Sequence, residues 1–527
     1  MFFSHRIVSL ILIAAGTGGL TACGGGSSNS SGAPAAPPPS GVYAWVLKAQ
    51  GSTSALRFGL SLVHPAASRV EWVIEPASEV VTDAKVVASG TVDTAGQRVT
   101  AVEPFALIYI VGGDVRRVPL RANGQAPKPQ VTRAQSTSAC QFVLDAIDHA
   151  NPERSRFVVS TAGADGQCGT ADDARAEVRM DSTLGVVFTP LSGGAPLGFL
   201  RDPATLAPRG WILPTAVSLW APASTFTIRS AGQPLTAVLG HSVRSVLAES
   251  STGLSVIDFP GGQAFTEVQS GTVTTTGWQK IGFDAGAFYA YRNSGAGVSG
   301  TWQVLRVGRL SAAANVLASG AGEVTLASMG GTVLYLTVFG TSNNQLLSLN
   351  KAAAGSPLVL ESLGTTGLAS VTTSNAGVHQ LWRVTGIGTG SIGYGVEFID
   401  EAFNKLYTSP AGGFPLAVIE ASTIDFNASE SRSRFLFATG YDNRAFSGAA
   451  LVGYDALSRS STAIGTLPGN AAFGSDIAYA NVVTGPSLVA AGAASRSVGG
   501  EVQAAGTRVF SFNADTAGSL QFTDSQQ

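Results

Sequence analysis

From residue 41 onward the chain keeps one repeating texture. Short runs of β-branched, aromatic and aliphatic residues alternate with clusters of Gly, Ser, Asn and Asp, the pattern of strands separated by tight turns. Val42–Leu47, Phe105–Val111, Val333–Phe339 and Phe435–Ala438 are clear examples of such runs. No segment shows a capped apolar stripe at the 3.6-residue helical period, and Asp145–His149 predicts a single helical turn at most. The predicted elements are therefore strands, in one body over 41–523.

Within that texture a five-residue pattern recurs: apolar, any, any, apolar, then a turn former. Leu346–Asn350, Val396–Asp400, Leu451–Asp455 and Val509–Asn513 carry it most clearly, with Asn or Asp positioned to bond its own backbone and start a turn. Looser copies run Val115–Val118 into Pro119, Val256–Phe259 into Pro260 and Val304–Val307 into Gly308; Leu60–His64 and Phe199–Asp202 are marginal. The last six copies end at 260, 308, 350, 400, 455 and 513, close to the roughly 40–50 residues of a four-stranded propeller blade plus loop insertions. This cadence resembles the repeats of quinoprotein-like and WD-like β-propellers across 41–523. No Trp closes each repeat, however, and no Gly-His…Trp-Asp pair occurs.

The resemblance implies an all-β propeller of seven or eight four-stranded blades, eight being favoured. A string of β-sandwiches would need linkers, and no Pro-rich or charged break falls between 41 and 523. The strand near Val42 is placed to zip against the C-terminal repeat around Val509.

The N-terminus is a different kind of sequence. Arg6 precedes the apolar run Ile7–Ala15, too short for a permanent span, so 1–22 is expected to be a secretory signal. Leu20-Thr21-Ala22-Cys23 then resembles the lipobox of bacterial lipoproteins. That resemblance implies cleavage before Cys23, lipidation of its thiol with palmitate among the acyl chains, and, with Gly24 rather than Asp after it, an outer-membrane destination. Residues 23–40 are Gly, Ser, Ala and Pro-rich, ending near Pro37-Pro38-Pro39; such a segment cannot bury enough apolar surface to order itself and is expected to be a tether.

Composition narrows the partners. Only 13% of the 527 residues are charged, 32 Lys+Arg against 34 Asp+Glu, so no basic face for nucleic acid is expected. Past the signal, no unbroken apolar run approaches the roughly 18 residues of a spanning helix. A stack of blades buried on both faces suits so sparsely charged a chain.

Cys140 and Cys168 are the two remaining cysteines, and export predicts that they pair. They lie in the widest gap between pattern copies, so the bridge is expected to pin an insertion around 140–180. Gly163–Asp173 holds three carboxylates and three glycines and resembles the Asp/Gly-rich calcium loops of secreted bacterial proteins. Asp165, Asp172 and Asp173 are thus candidate calcium ligands. The spacing is not that of an EF-hand, and an Asp165-Gly166 hairpin turn is the alternative.

No local catalytic motif stands out. His64, His149, His241 and His379 are far apart, and neither a Gly-x-Ser-x-Gly elbow nor a phosphate-cradling Gly-Lys loop occurs. Seven tryptophans are expected chiefly in blade cores. The leading expectation is a lipid-anchored, non-enzymatic binding or scaffold propeller, with a protein or glycan ligand on one face. The alternatives are an enzyme acting on polysaccharide or peptide through channel carboxylates, and an accessory partner of outer-membrane assembly.

Overall fold

The computed structural model describes residues 42–524 outside a set of connecting segments, the longest being 120–131, 386–394, 440–449 and 467–486; side chains are described mainly over 83–359 and in parts of 396–466. Cys23, the signal 1–22 and the tether 23–40 lie outside the described residues. Among the described residues eight antiparallel sheets follow one another along the chain, over 81–133, 139–190, 198–227, 235–269, 279–321, 323–364, 368–408 and 414–466, each of four strands, the first also taking on the short strand Ile424–Asp425. In each, consecutive strands are hydrogen-bonded neighbours, as short turns dictate.

Burial grades across the sheets whose side chains are described. Second strands are enclosed: Ser245–Ser250 is buried at all six positions, and Phe157–Thr161 at every residue. Fourth strands are not: Ala223–Thr227 alternates exposed and half-buried positions, and Leu358 and Val359 are exposed. First strands of successive sheets lie side by side. Val81–Asp93 neighbours Ala139–Ala146, and Leu235–His241, Gln279–Phe283, Glu323–Met329 and Leu368–Thr373 neighbour one another in turn. First strands inward and fourth strands outward define a β-propeller of eight blades.

The core lies between blades. Val87, Ile108 and Val115 of blade one pack on Phe142, Phe157 and Val178 of blade two. Leu247 and Val256 of blade four meet Phe288 and Leu305 of blade five; Tyr291 and Trp302 meet Leu334 and Leu347 of blade six. Blade five thus buries both faces, so its middle strand Ala287–Ser294 opens as a continuous apolar run. A single residue, Gly322, links the outer strand of blade five to the inner strand of blade six. It has φ +99°, and a Cβ there would lie 2.5 Å from the Phe339 carbonyl oxygen, so only glycine suits the link.

Blade eight closes the ring. Between its first and second strands the chain departs to Ile424–Asp425, which pairs with Val99 and Arg98 of blade one. Two three-stranded sheets, over 42–74 and 487–524, flank the eight blades in sequence. Val42–Ala49 runs beside Ser487–Val498 and approaches Glu501–Asn513, the strand that carries Val509.

Three local expectations are corrected. The stretch taken as an insertion around 140–180 is blade two itself, a full four-stranded sheet over 139–190. Asp145 lies within the strand Ala139–Ala146 instead of starting a helical turn, and the nearby 3₁₀ turn is Pro152–Arg154. Phe199–Arg201 lies in the inner strand of blade three, Gly198–Arg201, whereas Val115–Val118, Val256–Phe259, Val304–Gly308, Leu346–Asn350, Val396–Asp400 and Leu451–Asp455 lie on or run just past third strands.

Candidate functional site at the propeller axis

The inner strands bring together charges that the sequence keeps far apart. Arg201 is the last residue of the inner strand of blade three, His241 the last of blade four, and Asp148 and His149 lie just past the end of that of blade two, Ala146. Asp83 and Lys85 come from the inner strand of blade one and Lys280 from that of blade five. Inner strands of six blades, those beginning at 81, 139, 235, 279, 323 and 414, carry a register shift with an extra residue on the inner side, which bends them and re-aims their side chains. Asp83 Oδ2 accepts the Phe142 N–H at 2.7 Å, tying blade one to the displaced ladder of blade two.

Arg201 is the centre of the group. It is 6% exposed, and its Nη1 donates to the carbonyls of Leu206 at 2.9 Å and Ile147 at 3.3 Å. The guanidinium carbon lies 5.1 Å from the ring centroid of Phe199 and 4.3 Å from that of Phe426. Phe426 comes from the excursion of blade eight. Carbonyl oxygens and two aromatic faces thus stand in for water around a buried cation, which would otherwise be costly to bury. Burial lowers its pKa to about 10, opposed by Asp148 and Asp145, so it stays charged at neutral pH.

That cation governs its neighbours. His149 is buried, and its Nδ1 lies 3.1 Å from the Ala88 carbonyl oxygen, which only an N–H can satisfy. His241 meets the Phe199 ring edge to face at 4.7 Å between centroids. Burial, then Arg201, pushes both imidazoles down to about 3, with Lys280 adding to the effect on His241. Both are therefore neutral near pH 7. Burial also raises the Asp145 carboxyl, against the pull of Lys85 and Arg201. Chemically, the axis offers a fixed cation, two neutral imidazoles and a carboxyl inclined to hold its proton.

The residues singled out in the sequence lie elsewhere. Cys140 and Cys168 form a disulfide with Cα atoms 5.6 Å apart; it ties the inner strand of blade two to the loop between that blade's second and third strands. In that loop Thr170 Oγ1 is 2.7 Å from Asp172 Oδ1, 3.3 Å from Asp173 Oδ1 and 3.5 Å from Asp165 Oδ1. The N–H groups of Gln167, Gly169 and Asp165 donate to Asp165, Asp173 and Asp172. Among the described residues no three His, Cys, Asp or Glu side chains are grouped to hold a metal ion. Trp211, Trp278 and Trp302 are buried in blade cores; the side chains of Trp45, Trp72, Trp382, His64 and His379 lie outside the described residues.

This inter-blade topology defines the class of protein: an eight-bladed β-propeller with a charged, aromatic-capped axis. No protein-family model matches the sequence, and no curated protein sequence does. Solved structures similar in backbone include a eukaryotic initiation factor, at a TM-score of 0.44 and 9% identity over 79% of this chain and 94% of that one. An oligogalacturonate lyase in complex with manganese gives 0.34 and 7% over 91% and 95%, and Sqt1 from Chaetomium thermophilum gives 0.36 and 10% over 76% and 94%. The propeller assignment rests on the sheet order and the shared inter-blade cores.

Proposed function

We propose that this chain is an exported lipoprotein, held at the outer membrane by lipid on Cys23, whose propeller body is a non-enzymatic binding scaffold for a protein or glycan. The anchor half is supported by Leu20-Thr21-Ala22-Cys23 standing directly after an apolar run and before a flexible tether. Acylation with more than one chain would suffice for stable attachment.

One observation carries the binding half: Arg201 and His149 are held by backbone carbonyls, and Arg201 and His241 by aromatic rings. Arg201 donates to two carbonyls and is capped by Phe426, and both histidines beside it are pushed down to about 3 by burial and by Arg201, far below the range useful for proton transfer near neutrality. Such an axis stiffens a ring; recognition then falls to its loop faces and the clefts between blades.

An enzyme is the second reading, and Asp145 favours it: a carboxyl raised by burial beside Lys85 and Arg201 is a candidate general acid. Two experiments test these statements. Radiolabelled palmitate should enter the full chain and be lost in Cys23→Ser; unlabelled wild type would remove the anchor. On polysaccharide and peptide substrates the protein should retain ligand without turnover, and Asp145→Asn should change nothing. Turnover abolished by Asp145→Asn would replace the scaffold with an enzyme.

A further inference from the structure

The face of blade five that meets blade four changes character along its strands. Phe288, Ala290, Leu305 and Val307 fill the core shared with blade four. Further along the same face stand Arg292 and Ser294 on the second strand and Thr301 and Gln303 on the third, since residues two apart on a strand share a face. The register sets them side by side: Arg292 opposite Gln303, Ser294 opposite Thr301, and Gln303 in turn opposite Ser319 of the outer strand. All five line a pocket of about 380 Å³, within the size range of small-molecule sites.

Arg292 lacks what other arginines of the ring have. Arg117, Arg156 and Arg244 each meet a carboxylate oxygen at 3.2 Å or less. Among the described residues the Arg292 side chain makes neither an ion pair nor a hydrogen bond. Its guanidinium carbon lies 5.4 Å from the Trp278 ring centroid. That tryptophan is itself fixed: its backbone N–H donates to the Glu249 carboxylate at 3.0 Å and its indole N–H to the Thr275 carbonyl at 2.8 Å. An aromatic face orients a guanidinium and leaves its in-plane N–H groups free. The Arg292 Nε is buried without a partner, an unmet donor of the kind a native structure keeps only for a reason.

The neutral groups are equally uncommitted. Among the described residues the side chains of Ser294, Thr301, Gln303 and Ser319 make no hydrogen bond. The three hydroxyl residues are exposed, while Arg292 and Gln303 are half-buried. A hydroxyl or a carboxamide both donates and accepts, as each hydroxyl of a sugar does. Arg292 is the one charged residue among the described residues of the lining, so the pocket answers a single negative charge. Trp302, its one large apolar side chain, is only 3% exposed and offers a ligand little apolar surface.

We infer that this pocket binds a sugar acid: the carboxylate sits in a bidentate grip on Arg292, and the sugar hydroxyls exchange hydrogen bonds with Ser294, Thr301, Gln303 and Ser319. Arginine suits that planar grip on a carboxylate. The inference deepens the binding half of the reading above and rests on it. The two fail separately: turnover of a polysaccharide removes the scaffold and leaves the pocket, whereas sugar-acid binding that ignores Arg292 removes the pocket and leaves the scaffold.

The test is titration of the full chain, in mild detergent, with glucuronate, its neutral isostere glucuronamide, acetate and inorganic phosphate, followed by tryptophan fluorescence and calorimetry. Glucuronate should bind saturably, and more weakly at high salt. Glucuronamide should bind at least tenfold more weakly, and acetate, which keeps the charge but lacks the hydroxyls, at least threefold. Arg292→Gln should weaken glucuronate about tenfold, the yield of one charge-assisted bond, and Ser319→Ala about threefold, that of a neutral one. Arg244→Gln, which removes an exposed pair with Asp258 on blade four, should leave binding unchanged. Far-ultraviolet circular dichroism checks the fold of each variant, and Ser319→Ala, at an exposed position, keeps the test decisive if Arg292→Gln does not fold. Absence of saturable binding, equal binding of glucuronate and glucuronamide or of glucuronate and acetate, unchanged affinity in a folded Arg292→Gln or in Ser319→Ala, or tighter binding of phosphate than of glucuronate would each overturn the assignment.

Discussion

Phe426 and Arg201 stand 225 positions apart in sequence, yet the phenyl centroid lies 4.3 Å from the guanidinium carbon. The contact joins blade eight to blade three, and through His149, whose ring is 6.5 Å from that of Phe426, to blade two. Ile424 and Asp425 meanwhile pair with blade one. One short excursion thus ties the last blade to the first three, where a ring of stacked sheets would otherwise open most easily.

Phe426→Ala should loosen that closure. A cation–π contact in a desolvated setting contributes about 2 kcal/mol, so denaturant unfolding should show a loss of about 1–3 kcal/mol. The same change admits water to Arg201 and relieves the burial that depresses the histidines, so NMR titration should show the pKa values of both His149 and His241 rising. Unchanged histidine pKa values would detach Phe426 from the axis.

Acid should weaken the protein through the same group. A histidine held at about 3 when folded and near 6.5 when unfolded leaves the unfolded chain holding more protons between those values. Stability is then complete above about 6.5 and falls as pH drops toward 3, by up to about 1.4 kcal/mol per pH unit for each histidine. Asp145, raised by burial, has the opposite sign in acid, so the difference between wild type and His149→Gln isolates the imidazole. Urea midpoints at pH 7, 6 and 5 should fall less steeply in His149→Gln; parallel curves would contradict the buried, neutral histidine.

How far the fold could be read in the chain depends on where repetition reaches. Third strands such as Leu346–Asn350 and Leu451–Asp455 are enclosed by neighbours and end in a turn to the exposed outer strand. Burial followed by an Asn or Asp turn is a local signal, and it marks the blades. In blade three the third strand Ala216–Trp220 runs into Ala221-Pro222, and in blade two Ala174–Met180 alternates charged with apolar residues; neither carries that signature, so blade two read as an insertion. The axis was not legible at all. His149, Arg201, His241 and Phe426 occupy four separate blades, and only closure of the ring brings them together. On blade two, Arg156 and Arg179 likewise become a pair only once the strand register is known.

The disulfide makes a separate contribution. Cys140 and Cys168 are 28 residues apart, and constraining a loop of that length in the unfolded chain is worth about 3–4 kcal/mol on the entropic model. A Cys140→Ser, Cys168→Ser double variant should lose stability on that scale in urea unfolding, while its circular dichroism stays that of the β-rich parent. A loss of less than about 1 kcal/mol would mean that blade two holds its loop without the bridge.

The loop that the bridge secures poses the last question, whether Asp165, Asp172 and Asp173 need calcium. Thr170 Oγ1 lies within 3.5 Å of all three carboxylates, and backbone N–H groups donate to each. Those donors favour the ionised form; the Thr170 hydroxyl and the Asp165 N–H hold the Asp172 carboxyl below its usual range. A loop that answers its own negative charge with internal donors should not depend on a cation. The melting midpoint should therefore be the same in EGTA as in millimolar calcium, and Thr170→Val, which removes the shared hydroxyl, should lower it equally in both. A midpoint that climbs with calcium in the parent and ceases to do so in Asp172→Asn would instead establish the carboxylates as ligands.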